Sequence, residues 1–266
     1  MRRGNPAPLS YLARGAGPGL LLVHGGGATA ESTYGPLLPA LAARRAVVAP
    51  NYTGVRPDPG AALDVLADQH VATATAAGLE RFAVVGHSLG SMIGVQAALR
   101  HPDRVTALVL TAGFAHAATS FRLKARVWRS LLAGDPDLLA RYLMSVMFSH
   151  RYLGSMTDAQ VDGFAELVVS SGGGDASAQI ELALSLDLRG ELAGVRAPAL
   201  VVATADDQLV PPYLSAELAA AIPGATLASL DCGHHPALEC APDWARLIDD
   251  FLTVLDAEAE CAWAAK

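Results

Sequence analysis

The residues Gly86-His87-Ser88-Leu89-Gly90 carry a hydroxyl with glycine two positions to either side. The run before them, Arg81-Phe82-Ala83-Val84-Val85, is apolar and β-prone, and the run after them, Ser91 to Arg100, is alanine-rich and helix-prone. A serine at the apex of a strand-to-helix turn is held in a strained backbone conformation. Glycines flank it because neighbouring chain passes where a Cβ would collide. The helix that follows directs its free N–H groups and positive dipole end towards the serine, which favours an anion there. A glycine-rich turn around an inert buried serine is the alternative. The placement between a buried strand and a helix favours a nucleophile.

A serine hydroxyl needs a base to take its proton, and the base needs an acid to orient it. Eight histidines are available. His24 lies in a glycine run and His87 is the variable residue beside Ser88. His70, His101, His116 and His150 fall in helix-like contexts, where a surface or core role is expected. His234 and His235 remain, in Asp231-Cys232-Gly233-His234-His235-Pro236, between the last apolar strand-like run and the C-terminal helix-like run. For the acid, Asp206 and Asp207 follow another apolar run, in Thr204-Ala205-Asp206-Asp207-Gln208-Leu209-Val210-Pro211. Thr111 to Ser120, after Leu110, contains no Asp or Glu, which closes that location. The run His24-Gly25-Gly26-Gly27 follows Leu20-Leu21-Leu22-Val23. It lacks the Gly-Lys-Ser/Thr ending of a phosphate loop and the G-x-G-x-x-G spacing of a dinucleotide fold.

These residues need strands and helices to position them. Leu20–Val23, Ala46–Ala49, Phe82–Gly86, Val105–Leu110, Ala199–Ala203 and Thr226–Leu230 read as strands. Ala61–Gly78, Ser91–His101 and Leu247–Ala259 read as helices. Continuously apolar strands alternating with helices predict an α/β protein with a mostly parallel, doubly wound sheet covered on both faces. From about Ala115 to Glu191 the rhythm breaks. Helix-like runs Phe121–Ala133, Leu138–Phe148 and Asp158–Ser170 are punctuated by Asp135-Pro136 and Ser171-Gly172-Gly173-Gly174. Residues 1–114 and 192–266 are expected to form the core, and 115–191 a helical cap. Active sites of open α/β sheets lie beyond the carboxyl ends of the strands, so an insertion leaving there would roof a mostly apolar substrate pocket.

Composition bounds the reading. A chain of 266 residues can bury roughly three quarters of its unfolded surface. It is 52% hydrophobic and 17% charged, which indicates a globular protein and not a disordered one. The net charge of −7 leaves no basic footprint for nucleic acid. Lysine occurs only at Lys124 and Lys266. Met1-Arg2-Arg3-Gly4-Asn5-Pro6 has charge but no apolar run behind it, so no signal peptide is expected. No apolar run approaches a bilayer span. Cys232, Cys240 and Cys261 are odd in number and lack C-x-x-C spacing. They fit a reducing, cytoplasmic setting and no metal site.

The chain resembles the α/β-hydrolase superfamily along nearly its whole length. His24–Gly27 is similar to its oxyanion loop, and Gly86–Gly90 to its nucleophile elbow. His101-Pro102-Asp103-Arg104-Val105 resembles its Pro-[Glu/Asp]-Arg-Val link. Asp207-Gln208-Leu209-Val210-Pro211 resembles its Asp-x-x-Val-Pro acid motif, and Gly233-His234-His235-Pro236-Ala237-Leu238-Glu239 its Gly-His-x-Pro-x-x-Glu histidine motif. The resemblance selects Asp207 over Asp206 and His234 over His235, and it implies the triad Ser88, Asp207, His234. It also implies an oxyanion hole from the N–H groups of Gly26 (or its neighbour Gly25) and Leu89. Expected substrate contacts are Gly25, His87, Met147, Phe148 and His235. The loop Asn51-Tyr52-Thr53-Gly54-Val55-Arg56-Pro57 keeps only one glycine of the family's Asp-x-x-Gly-x-Gly-x-Ser pattern. The nucleophile is serine, not aspartate, and no tryptophan follows it, so a dehalogenase-type mechanism is not expected.

The expected function is hydrolysis of an ester, thioester or lactone of a small to medium, mostly apolar molecule through an acyl-enzyme. No metal or organic cofactor is required, and the expected partner is a small-molecule substrate, with a homo-oligomer as an option. The run Gly25-Gly26-Gly27-Ala28-Thr29-Ala30 resembles the loop of hydrolases that cleave carbon–carbon bonds in aromatic ring-fission products, which keeps a C–C hydrolase as an alternative. A non-hydrolytic member (cyclase, lyase or ligand-binding protein) on the same scaffold is a third.

Overall fold

The computed structural model describes residues 7–52, 59–171 and 176–264. Met1–Pro6, the Thr53–Pro57 part of the loop after Tyr52, and Gly172–Gly174 lie outside the described residues. Seven strands form one sheet: β1 (Ser10–Arg14), β2 (Gly19–Val23), β3 (Ala46–Asn51), β4 (Phe82–His87), β5 (Val105–Thr111), β6 (Ala199–Thr204) and β7 (Thr226–Leu230). Their order is β1-β3-β2-β4-β5-β6-β7. All pairings are parallel except β1 with β3. β4 and β6 are buried at every position, as expected for strands sandwiched between two helical layers. β1 is the strand that periodicity misses. It is an edge strand, exposed at four of five positions, with little apolar signal to read.

The helices are α1 (Ala30–Tyr34), α2 (Leu38–Ala42), α3 (Pro59–Ala76), α4 (Leu89–Arg100), α5 (Thr119–Leu131), α6 (Pro136–Met147), α7 (His150–Ser155), α8 (Asp158–Ser171), α9 (Ala176–Ser185), α10 (Pro212–Ala221), α11 (Pro236–Glu239) and α12 (Ala241–Ala264). One face of the sheet packs Val84, Leu108 and Val201 against α3, α4 and α10. The other packs Leu22, Val85 and Val202 against α1, α2 and α12, around Trp244. α3 begins two residues before the expected Ala61 and stops short of Gly78, whose φ of +90° ends the run. No helix among the described residues is long and apolar enough to cross a membrane.

The strand order places the site. After β2 the chain moves to β3 on one side, and after β4 it moves to β5 on the other. The loops leaving β2 and β4 therefore diverge and open a crevice at the carboxyl edge. Register brings Val23 beside Gly86, His87 beside Thr111, and Thr204 beside Leu230. The segments that follow these residues, including Ser88, leave from one edge of the sheet. Helices α5–α9 are inserted between β5 and β6. The chain enters and leaves this insertion through a short antiparallel neck. There, Leu188 N–H donates to Ala115 O at 2.8 Å, and His116 bridges Asp187.

Candidate active site

Ser88 joins β4 to α4 with φ 53° and ψ −120°. This is left-handed backbone that a non-glycine residue rarely adopts. Packing imposes it. A Cβ on Gly86 would come within 2.5 Å of Gly90 O, and one on Gly90 within 2.5 Å of His24 O. The chain crosses itself there with no room for side chains. Ser88 N–H is tied to Thr111 O at 2.9 Å, which anchors the apex to β5.

His234 stands between the serine and the acid. Its Nε2 is 3.1 Å from Ser88 Oγ and its Nδ1 is 2.7 Å from Asp207 Oδ2. Asp207 accepts at both oxygens. Leu209 N–H and Val210 N–H donate to Oδ1 at 2.8 Å each, and Thr204 Oγ1 donates to Oδ2 at 2.8 Å. The carboxylate is fully satisfied although buried, which is what a buried charge requires. With Nδ1 donating to the carboxylate, Nε2 is left as the acceptor that faces the serine hydroxyl.

The glycine loop lies against the serine. A Cβ on Gly25 would sit 3.3 Å from Ser88 Cβ and 3.1 Å from His87 Nδ1, so glycine keeps the loop close. His24 Nδ1 donates to Gly25 O at 2.8 Å, and its Nε2 accepts from Tyr52 N–H at 3.3 Å. The ring stacks on Tyr52 with centroids 4.1 Å apart. Burial lowers the His24 pKa to about 4, so the ring stays neutral and keeps this tautomer at neutral pH.

The expected substrate contacts divide. Gly25 touches Ser88. The His87 ring is buried beneath the histidine loop, where Nε2–H donates to His234 O at 2.8 Å and the ring lies 5.8 Å from Trp244. Burial, followed by its histidine neighbours, holds the His87 pKa well below the ordinary value. His235 is half-buried between His87 and Phe148, with ring centroids at 6.3 and 6.4 Å. Burial lowers its pKa to about 4. Phe148 packs on Phe164 and Tyr152 at 5.1 Å each. Met147 contributes backbone, its carbonyl lying 2.6 Å from where a Gly233 Cβ would be.

Three contacts around this centre are not encoded by the sequence motifs. Glu239 Oε1 accepts from Gly233 N–H at 3.1 Å and Ser149 N–H at 3.0 Å, while Oε2 accepts from Ser149 Oγ at 2.5 Å. One carboxylate thus joins the histidine loop to the start of α7. Asp206, beside the acid, accepts from His150 N–H at 2.7 Å. Gln179, on α9, accepts from Gly27 N–H at 2.6 Å. Glu239 is visible as a motif residue, but its partner is not. Gln179 has no local signal at all.

A cleft of about 590 Å³ lies away from this centre, between α3, α4 and the exit of the insertion. Its lining includes Asp64, Gln96, Arg100, Asp187 and Glu191. Arg100 pairs with Asp64 at 2.8 Å and Arg189 with Asp187 at 2.6 Å. No member of the serine relay lines it.

Residues 18–146 match the family model for the alpha/beta hydrolase fold. The chain is 33% identical over 253 residues to the pyrrolizixenacetamide deacetylase of Xenorhabdus hominickii, covering 92% of this chain and 95% of that one. It is 32% identical to the 2-hydroxymuconate semialdehyde hydrolase of Pseudomonas sp. (strain CF600), over 92% of this chain and 90% of that one. A hydrolase from Pseudomonas aeruginosa PA01 superimposes with a TM-score of 0.78 at 26% identity, covering 91% of this chain and 93% of that one. On this sequence similarity and this fold, the chain belongs to the α/β-hydrolase family.

Proposed function

We propose that this protein is a serine hydrolase that acts through an acyl-enzyme. The observation that carries the reading is the continuous relay from Ser88 Oγ through His234 to Asp207, at 3.1 and 2.7 Å, set on a strained turn. Ser88 Oγ attacks the substrate carbonyl and its proton passes to His234 Nε2. Asp207 stabilises the resulting imidazolium. The N–H groups of Gly26 and Leu89 hold the oxyanion. Leu89 N–H, at the first position of α4, has no partner within its own helix. Collapse expels the leaving group with the proton from His234, and water then releases the acyl group by the reverse sequence.

The helical segment 115–191 serves as the cap. Its Phe148 and Trp128 stand against the histidine and glycine loops, which supports a small to medium apolar acyl group. The bond class is an ester, thioester or lactone, and the named deacetylase relative adds an N-acetyl amide to the compounds worth assaying. A second reading, C–C bond hydrolysis with the same triad, is favoured by the Gly25–Ala30 run and by the semialdehyde hydrolase relative.

The test is intact mass after exposure to a fluorophosphonate. Wild type should gain one adduct, Ser88→Ala none, and His234→Ala should label much more slowly. A folded wild type that stays unlabelled would overturn the reading. Turnover of aryl esters, N-acetyl amides and a vinylogous 1,5-diketone then separates the bond classes.

A further inference from the structure

We infer that Gln179 is a positioning residue that holds the oxyanion loop in its working conformation and joins that loop to the inserted helices. The inference rests on the serine-hydrolase reading above and deepens it. An oxyanion donor must be fixed before charge develops, yet three consecutive glycines have the greatest backbone freedom of any sequence. Something must therefore hold the peptide planes of Gly25-Gly26-Gly27.

Two side chains do so, one for each plane. His24 Nδ1–H holds the Gly25 carbonyl at 2.8 Å. In a trans peptide the next N–H points opposite to the carbonyl, so this bond directs Gly26 N–H. That N–H has no hydrogen-bond partner among the described residues, as a donor kept for the oxyanion would require. The following plane is held from its other end, where Gly27 N–H donates to Gln179 Oε1 at 2.6 Å. Gln179 is buried, and its Nε2 lies 3.5 Å from Tyr52 O, which orients the amide with Oε1 towards the loop. Gly27 itself has φ +70°, so without Gln179 the Gly26–Gly27 plane could turn and take Gly26 with it. A Cβ on Gly26 would lie 3.7 Å from Gln179 Cβ, so α9 stands directly over the donor. His24 is a neighbour in sequence. Gln179 is supplied from 152 residues away by the inserted segment, so placement of that segment and preorganisation of the donor are linked.

The experiment compares wild type with Gln179→Met, which keeps the length and loses the acceptor. The readouts are kcat and KM on an activated aryl ester, affinity for an aryl trifluoromethyl ketone that forms a tetrahedral adduct, and exchange of the Gly27 amide proton by NMR. Gln179→Met should lower kcat roughly tenfold to a hundredfold, less than outright loss of a donor. Ketone affinity should fall in proportion, KM should change little, and Gly27 should lose protection. Gln179→Asn, one methylene too short, should behave likewise. Gln179→Glu, which keeps an acceptor, should restore Gly27 protection, and these two variants carry the test if Gln179→Met does not fold. Unchanged ketone affinity and Gly27 protection in Gln179→Met or Gln179→Asn overturns the inference and leaves the hydrolase reading standing. Failure of the wild type to turn over the ester or bind the ketone overturns both.

Discussion

Ser88 and Gln179 both reach the glycine loop, yet they are held by different means. Ser88, Asp207 and His234 ride on chain that leaves the carboxyl edge of the sheet, and backbone contacts hold the first two: Thr111 O on Ser88 N–H, and Leu209 and Val210 N–H on Asp207. The inserted helices reach the same site through side chains. Glu239 holds Ser149, Asp206 holds the start of α7, Gln179 holds Gly27, and Lys124 reaches the Gln208 carbonyl. This second half can be changed one tether at a time, and the Gln179 tether is the one that carries such a change into the glycine loop beside Ser88.

Three measurements would break or sharpen that comparison. The largest effect is expected inside the first half. Asp207→Asn places an amide donor against His234 Nδ1–H or Thr204 Oγ–H and favours the wrong tautomer. It should lower kcat about 10⁴-fold while the fold persists, as judged by thermal melting. A loss under tenfold would mean that backbone fixation of Asp207 does not serve the relay.

The next effect concerns the part of the chain outside the inserted helices and is read from acid stability. His24, His70 and His235 have pKa values lowered from 6.5 to about 4, in each case chiefly by burial. Below about pH 6.5 the unfolded chain binds protons that the folded state refuses, so stability falls as pH drops towards 4 and is flat above neutrality. Each histidine contributes a slope of up to about 1.4 kcal/mol per pH unit. Urea midpoints measured from pH 7.5 to 4.5 check this, and a flat profile would mean that these rings gain protons without unfolding.

The smallest effect is expected at a single tether. Glu239→Gln should cost about 1–3 kcal/mol of stability. Combined with Ser149→Ala it should show a coupling of at least ~0.5 kcal/mol in a double-mutant cycle. Strict additivity would show that the two loops are independent.

The same contrast explains what is legible in the sequence. The central strands declare themselves because burial on both faces demands unbroken apolar runs such as Leu20–Val23 and Val105–Leu110. Gly86 and Gly90 declare themselves because backbone passes where a Cβ would be, so the residue type is dictated locally. The pairs His234-His235 and Asp206-Asp207 follow once the strand ends are known, and the family resemblance is what selects His234 and Asp207 from them. β1 stays hidden because it lies exposed at an edge. α9 stays hidden because Ala176-Ser177-Ala178-Gln179 carries no face-forming pattern and follows a glycine run. Contacts such as Glu239 with Ser149 span 90 residues and depend on tertiary placement, which periodicity does not encode. His87 shows the converse: its neighbourhood in sequence points to the substrate, whereas its ring supports the His234 backbone.

The neck at Ala115 and Leu188 has a consequence for how this molecule can diversify. Its two strands are already clasped, so the segment between them is a closed loop whose entropic cost grows only with the logarithm of its length, about 0.6 kcal/mol per doubling. Recombination with crossovers at these two points would exchange the inserted helices as one unit, longer or shorter, and leave the strands of the sheet undisturbed.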